Sequence, residues 1–526
     1  MDFLFPVREM LVQAALLMLV LSPRYCHEQE QGMSNSLSSQ LINEFKNEYH
    51  PQHIHISFGA FPTDVVIMWS TKEDVRGYVE YMVEPNDLKR ALGIKVNASE
   101  HGEHALKFIH RAELQDLMPD TTYTYRVVSE GTESGSASEE LKFKVPHNDP
   151  KGKHTFMVVA DMGLRANKQL HFVCQEVVNG EYEAVFHIGD IAYNLHTSSG
   201  IVGDQFMEHV EIFATKVPYM TTPGDHEKEL QGPSPYYEYR YRFSMPNAPW
   251  PMRVDSLWYS LDIGQTHFVS INTETFLYSS PLRDTQFMWL KEDLIKANKN
   301  RKSVPWLIVM GHQPLYCSQS VMEVDCAKEN SVLRGLLEDL FYEQGVDLYL
   351  SGHKHSYERT LPMYGGRAFQ TDYVNPMAPV YIVNGAMGYE YMVDEIRSKH
   401  FWLPFAQTDG KKELFARLNV LDGTRLIWSA RAAESNEEVD TIQIVQRNHS
   451  SFGNAGPDAF RKIEYLQKSN QNKLNNLPPE PFIIIDSPPS TATQYRTFIL
   501  YVVVFALALI LFMFLRNPRM RRILKI

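Results

Sequence analysis

Cysteine is scarce in this chain, with four in 526 residues, so thiolates cannot dominate its chemistry. Cys26 closes an apolar leader and Cys174 lies in a helix-like stretch where a buried thiol is expected. Cys317 and Cys326 are close enough to clip one loop by a disulfide in an oxidising compartment. Glycine and proline, at 28 and 29 residues, are unexceptional, which excludes collagen-like and wholly disordered chains, and no internal repeat is visible. Positive charge is in deficit: 51 Lys and Arg against 63 Asp and Glu leave a net charge of -12. With no basic stripe before the last few residues, a whole-chain electrostatic grip on nucleic acid is not expected.

Long apolar runs stand at the two ends. Residues 1–26 carry Arg8, the run Met10 to Leu21 and a polar break at Ser22 to Arg24, the layout of a secretory signal peptide. Phe498 to Leu515 is uncharged and apolar over 18 residues, about 27 Å as a helix and enough to span a bilayer. Arg516, Arg519, Arg521, Arg522 and Lys525 follow without an acidic residue, so 516–526 is expected to be a cytoplasmic tail of a single-pass type I membrane protein. The Pro-rich stretch 447–495 then reads as a stalk, with everything before it extracellular or lumenal. In that compartment Asn97 and Asn448, each in an Asn-X-Ser triplet, become glycosylation candidates. Oligomeric state is not legible.

Residues 51–147 alternate in short strands, His53–Phe58, Val65–Ser70, Gly77–Val83, His104–Ile109, Tyr123–Val128 and Leu141–Val145, and predict an all-β sandwich. Trp69 is placed to fill its core, and Leu117 to Tyr125 resembles the tyrosine corner of fibronectin type III domains. From 152 to 446 the texture becomes α/β, with apolar strands predicted at Phe156–Ala160, Ala184–Ile188, Pro218–Thr222, His267–Asn272, Trp306–Met310, Asp347–Leu350 and Val380–Val383. Helices are predicted over Lys168–Val178, Gly203–Thr215, Thr285–Ala297 and Ser331–Gln344.

Open α/β sheets hold their ligands just beyond the strand ends. Asp161 follows the first of these strands, Asp190 and Tyr193 the second, Asp225 and His226 the third; His312 follows the fifth, and His353 and His355 the sixth. One such aspartate is ordinarily a cap or turn former, and one histidine ordinarily packs in a core. Five sites on one edge are harder to dismiss. Three carboxylates, a phenol and three imidazoles make an oxygen and nitrogen donor set suited to iron, zinc or manganese, with enough ligands for two ions. A metal pair of this kind makes water nucleophilic and clamps the oxygens of an in-line phosphoryl displacement.

In order and spacing, Ala160-Asp161-Met162-Gly163, Gly189-Asp190-Ile191-Ala192-Tyr193, Gly224-Asp225-His226-Glu227, Gly311-His312 and Gly352-His353-Lys354-His355 resemble the blocks of the purple acid phosphatases, within the metallophosphoesterases. The likeness to the animal long form runs from about Pro51 to Gln446. It implies a two-sheet metallophosphoesterase sandwich flanked by helices, behind a fibronectin-like domain. It also implies an acid phosphatase acting on phosphate monoesters with a metal-activated hydroxide. Its cofactors would be Fe(III) paired with divalent zinc, iron or manganese. Carried over, Asp161, Tyr193 and His355 would hold the ferric ion, Asp190 would bridge, and Asp225, His312 and His353 would hold the divalent ion. His226 would stand outside the metal shell, binding phosphate or protonating the leaving alkoxide.

Three departures bear on activity. Asp225 stands where the family has asparagine; the extra negative charge is expected to weaken attraction for a phosphate dianion and give lower activity or a less acidic optimum. Ala160 replaces a glycine, and Gln313 to Asn330 contains no histidine, leaving proton donation to His226 and substrate contact to Gln313, Tyr316 or Glu323. A catalytically weak or silent metal-binding surface receptor, or a phosphodiesterase, are the competing expectations.

Overall fold

The computed structural model describes residues 48–454, apart from 85–86, 99–107, 131–135, 150, 165–166, 229–233, 278–280, 319–324, 329–330, 388–405 and 408–411. The leader 1–26, the span 498–515, the tail 516–526 and most of the stalk lie outside the described residues. Among the described residues no helix is long and apolar enough to cross a membrane.

The first sandwich forms from two antiparallel sheets. Gln52–Phe58, Val65–Thr71, Phe108–Leu114 and Ile94–Asn97 make one; Lys89–Leu92, Arg76–Met82, Thr122–Glu130 and Ser136–Ala137 make the other, with Leu141–Lys144 beside Thr122–Glu130. Trp69 and Tyr125 are buried between them, and the Tyr123 hydroxyl accepts from the Met118 amide at 3.0 Å, fixing the corner that enters its strand. The strand predicted at His104–Ile109 instead runs Phe108–Leu114, because Ala112 and Leu114 alternate into the core.

This sandwich packs directly on the rest of the chain. Strand Gln52–Phe58 lies against helix Ile201–Ala214: the His53 amide donates to Glu211 at 3.1 Å, and Ser57 Oγ to the Ser244 carbonyl at 2.7 Å. Tyr125 donates to the Thr215 carbonyl at 2.7 Å. Phe58 enters the larger hydrophobic core outright.

That core is closed between two mixed sheets. The first runs Tyr219–Thr222, Ala184–Ile188, His154–Val159, Leu414–Asp422, Arg425–Ala432 and Glu438–Val445, the first three strands parallel and the rest antiparallel. The second runs Tyr259–Ile263, Thr266–Ile271, Trp306–Gly311, Leu348–Ser351, Val380–Asn384, Tyr357–Arg359 and Ala406–Gln407, with four parallel strands from Thr266–Ile271 to Val380–Asn384. Phe268 bridges the sheets, its ring 4.9 Å from Phe156 and 4.6 Å from Phe186. Helices Asn167–Asn179 and Ile201–Ala214 cover the outer face of the first sheet, and Leu282–Lys299 with the helical stretch 332–344 covers the second. The antiparallel strands from Leu414 onward were not predicted; they intersperse buried residues with partly buried or exposed ones, a weaker signal than the solid apolar runs of the parallel strands.

Cys174 is a buried free thiol, and Cys317 and Cys326 form a disulfide. Arg334, in a π-helical stretch Arg334–Glu338, donates to the Leu315 and Cys326 carbonyls at 2.8 and 2.7 Å and anchors that loop.

Candidate metal centre and active site

Loops leaving three strands of the first sheet and two of the second meet at one rim. Their backbones turn sharply there: Asp161, Asp190, Tyr193 and His353 all lie in the left-handed region, with φ of 58°, 53°, 47° and 66°. Aspartate tolerates this conformation; tyrosine and histidine adopt it at a cost of about 1–3 kcal/mol that surrounding contacts must hold in place. Gly189, at φ 76°, makes its turn possible and leaves room for the neighbouring ring, since a Cβ there would stand 2.4 Å from His312 Nδ1.

The seven candidate ligands fall into two groups. In one, the Tyr193 hydroxyl donates to Asp161 Oδ1 at 2.7 Å and lies 2.8 Å from His355 Nε2, which is 3.5 Å from the same carboxylate. In the other, Asp225 Oδ1 is 3.1 Å from both His312 Nε2 and His353 Nδ1, and His312 Nε2 is 3.2 Å from Asp190 Oδ1. The four donors of this second group lie within 4.8 Å of one another. The groups are tied together, because Asp161 Oδ2 accepts the His353 amide at 2.8 Å.

Supporting contacts set which atoms face inward. His312 Nδ1 is 3.0 Å from the Ile188 carbonyl, which can only accept; that nitrogen therefore carries hydrogen and Nε2 offers the lone pair. Glu227 is buried and accepts the amides of Asp190, Ile191 and Gly224, each at 2.8 Å, so one carboxylate fixes two ligand loops. Burial, then the Asp190 charge, pushes Glu227 up to about 8. Sequence reasoning passed over Glu227, although buried loop amides always require acceptors and it sits two residues from a ligand.

The donor set fits metal ions. Burial pulls His312 down, yet Asp190 and Asp225 hold it well above its ordinary value: the cluster demands positive charge. Burial opposes ionisation of Asp225, but hydrogen bonds from His312 and His353 keep its carboxyl below the usual range, so its charge is retained in acid. Burial and the Asp161 and Asp190 charges push the Tyr193 phenol far above its ordinary value.

His226 stands at the mouth of the site, about one-third exposed, with Nε2 3.9 Å from Asp190 Oδ2. Its Nδ1 is 2.5 Å from Asn194 Oδ1, an acceptor, which orients the ring so that Nε2 faces the ligands. Asn194 was not singled out from the sequence; its neighbour Tyr193 was. Ala160 is accommodated because Gly352 faces it, where a Cβ would stand 2.6 Å from the alanine methyl. Tyr316, expected near substrate, is instead buried in the second sheet's outer core and bonded to Glu338 and the Gly366 amide. Gln313 does reach the site, 3.3 Å from His353 Nδ1, while Glu323 lies outside the described residues.

A two-sheet sandwich carrying paired oxygen and nitrogen donor groups on its strand-end loops defines a metallophosphoesterase. In agreement, residues 154–357 match the calcineurin-like phosphoesterase family and residues 51–145 match the purple acid phosphatase N-terminal domain. The chain belongs to the purple acid phosphatases and is an enzyme of the acid phosphatase class. It is 35% identical to acid phosphatase type 7 of Homo sapiens over 414 residues, covering 75% of this chain and 91% of that one. It is 27% identical to purple acid phosphatase 21 of Arabidopsis thaliana, over 76% of this chain and 85% of that one. The structure of a purple acid phosphatase from yellow lupin (Lupinus luteus) seeds shares the fold, with a TM-score of 0.64 at 22% identity over 76% of this chain and 75% of that one.

Proposed function

We propose that this chain is a membrane-anchored acid phosphatase that hydrolyses phosphate monoesters outside the cytosol at an Fe(III)–M(II) pair, M being zinc, iron or manganese. The observation that carries the reading is the placement of His226, about one-third exposed and aimed by Asn194, beside two distinct groups of candidate ligands. Asp161, Tyr193 and His355 would hold the ferric ion. Burial, then the Asp161 and Asp190 charges, hold the Tyr193 phenol toward its protonated form, so an ion that takes it as phenolate would have to be strongly Lewis-acidic. Asp190 would bridge, with Asp225, His312 and His353 on the divalent ion. Bound ions supply Lewis acidity, neutralising phosphate charge and making water a nucleophile.

The chain's own residues do the rest. His312 and His353, one oriented by the Ile188 carbonyl and the other in reach of Gln313, present lone pairs in fixed directions. Glu227 keeps the Asp190 and Gly224 loops in register. His226 Nε2 reaches the substrate side of Asp190 and donates a proton to the departing alkoxide, a role for which imidazole is apt near neutral pH. Retention of the Asp225 charge favours a monoanionic ester more than a dianionic one, the feature that keeps the diesterase reading in play. Anchoring rests on the composition of Phe498 to Leu515 with its basic flank, and exposure of Asn97 and Asn448 supports their modification.

The test is hydrolysis of an aryl phosphate and a matched diester from pH 4 to 9 by the purified chain, with metal content measured on the same sample. Monoester turnover with a visible absorption band lost in Tyr193→Phe is expected. A folded, metal-loaded protein that turns over neither ester overturns the proposal in favour of a metal-binding receptor. Deleting 498–515 is expected to release the protein from membranes.

A further inference from the structure

A cavity of about 540 Å³ opens where the sandwich meets the phosphoesterase domain, within the size range of small-molecule sites. Its walls are the last sandwich strand Leu141–Lys144 with the linker that follows, the end of helix Asn167–Asn179 with the loop after it, and residues 216–217 beyond helix Ile201–Ala214. Strand His154–Val159 begins at this cavity and leads away to Asp161, about 20 Å distant at about 3.3 Å per residue, so the cavity is separate from the metal centre.

The chain carries a net charge of -12, yet Lys142, Lys144, Lys153 and Lys216 all line this one cavity. Lys142 and Lys144 stand two apart on a strand whose neighbouring residues are buried, so both point to its open face. Lys144 is held by Asp120 at 2.6 Å, whereas Lys142, Lys153 and Lys216 form no ion pair among the described residues. The linker that carries Lys153 is tied down, since His147 Nε2 donates to the Lys153 carbonyl at 3.1 Å. Glu181 and Glu183 also border the cavity, but Glu183 turns its oxygens to His154 Nδ1 at 2.5 Å and His147 Nε2 at 3.6 Å. The lysines therefore outnumber the carboxylates, and one of the two carboxylates is engaged elsewhere.

Between these charges the walls are apolar: Val145 and Pro146 from the linker, Val177 and Val178 from the helix, and Val217 opposite. Val178 is left 39% exposed, an aliphatic surface that a ligand would cover. Lysine is a compact charge on an apolar stem, so such a lining matches an acidic group carried on an apolar body.

We propose that this cavity binds a small organic anion, an apolar ring or chain bearing a phosphate, sulfate or carboxylate group. Lys142 belongs to the sandwich and Lys216 to the phosphoesterase domain, so a ligand held by both bridges the junction and stabilises the folded chain.

The test uses the full chain and two fluorescent probes, anilinonaphthalene sulfonate and its uncharged counterpart phenylnaphthylamine. Wild type is expected to bind one equivalent of the sulfonate about ten-fold or more tightly than does Lys142→Gln/Lys216→Gln, the scale of a lost contact to a charged group. The double variant is expected to keep its aryl phosphatase activity and to lack the rise in Tm that the sulfonate gives wild type. Equal affinity in folded wild type and variant overturns the inference. So does equally tight binding of the uncharged probe to wild type, a comparison that needs no variant.

Discussion

Asp225 carries the sharpest chemical question in the chain. Its Oδ1 is shared by His312 and His353, the position a neutral amide oxygen would occupy with one negative charge less. Asp225→Asn is therefore expected to raise kcat/KM for a dianionic monoester several-fold and move the optimum toward acid; unchanged rate, pH profile and metal affinity would show the charge to be inert. His226→Ala is expected to lower kcat by about 10²–10⁴-fold at unchanged metal content, the usual scale for a lost proton donor. Asn194→Ala removes only the orientation of that ring, so it should alter the pH profile with a smaller loss. Glu227→Ala leaves three buried amides without an acceptor at about 1–3 kcal/mol each, and metal retention on dialysis is expected to fall with stability.

Among the elements, the parallel strands announced themselves and the edges did not. The second sheet's edge is pinned by His267, within 2.5 Å of Asp262 and 2.8 Å of Asp293, which joins strand Thr266–Ile271 to helix Leu282–Lys299. Burial pulls this imidazole down, but the two carboxylates outweigh it and raise it to about 9. A folded value above the unfolded 6.5 means that the stabilisation is fully present below about pH 6.5 and lost as pH rises through about 9. His267→Gln should cost on the order of 1–3 kcal/mol at pH 6 and little at pH 10, read from urea unfolding at both. An equal loss at both pH values would mean that the ring acts by packing alone.

At the scale of the whole molecule, the N-terminal sandwich is part of the enzyme's packing rather than a bead on a string. Phe58 belongs to the main core, and the Tyr125–Thr215, Ser57–Ser244 and His53–Glu211 bonds cross the junction. Tyr125→Phe removes one buried hydrogen bond and is expected to destabilise by about 1–2 kcal/mol. A chain beginning at residue 148 should aggregate, as the face of helix Ile201–Ala214 loses its cover; a soluble, active truncation would refute this dependence.

The sequence by itself determined the ligand residue types and their strand-end positions, because an apolar run followed by Asp or His is a local pattern. It also carried the Tyr123 corner and the Cys317–Cys326 pairing, whose partners are near in the chain. Only the tertiary structure decided which candidate ligands come together, since His353 meets Asp225 across 128 residues and Asp161 across 192. It likewise withdrew Tyr316 from the substrate side. Such partnerships depend on how two sheets twist and stack, and that geometry is summed over the whole core rather than encoded in any short stretch.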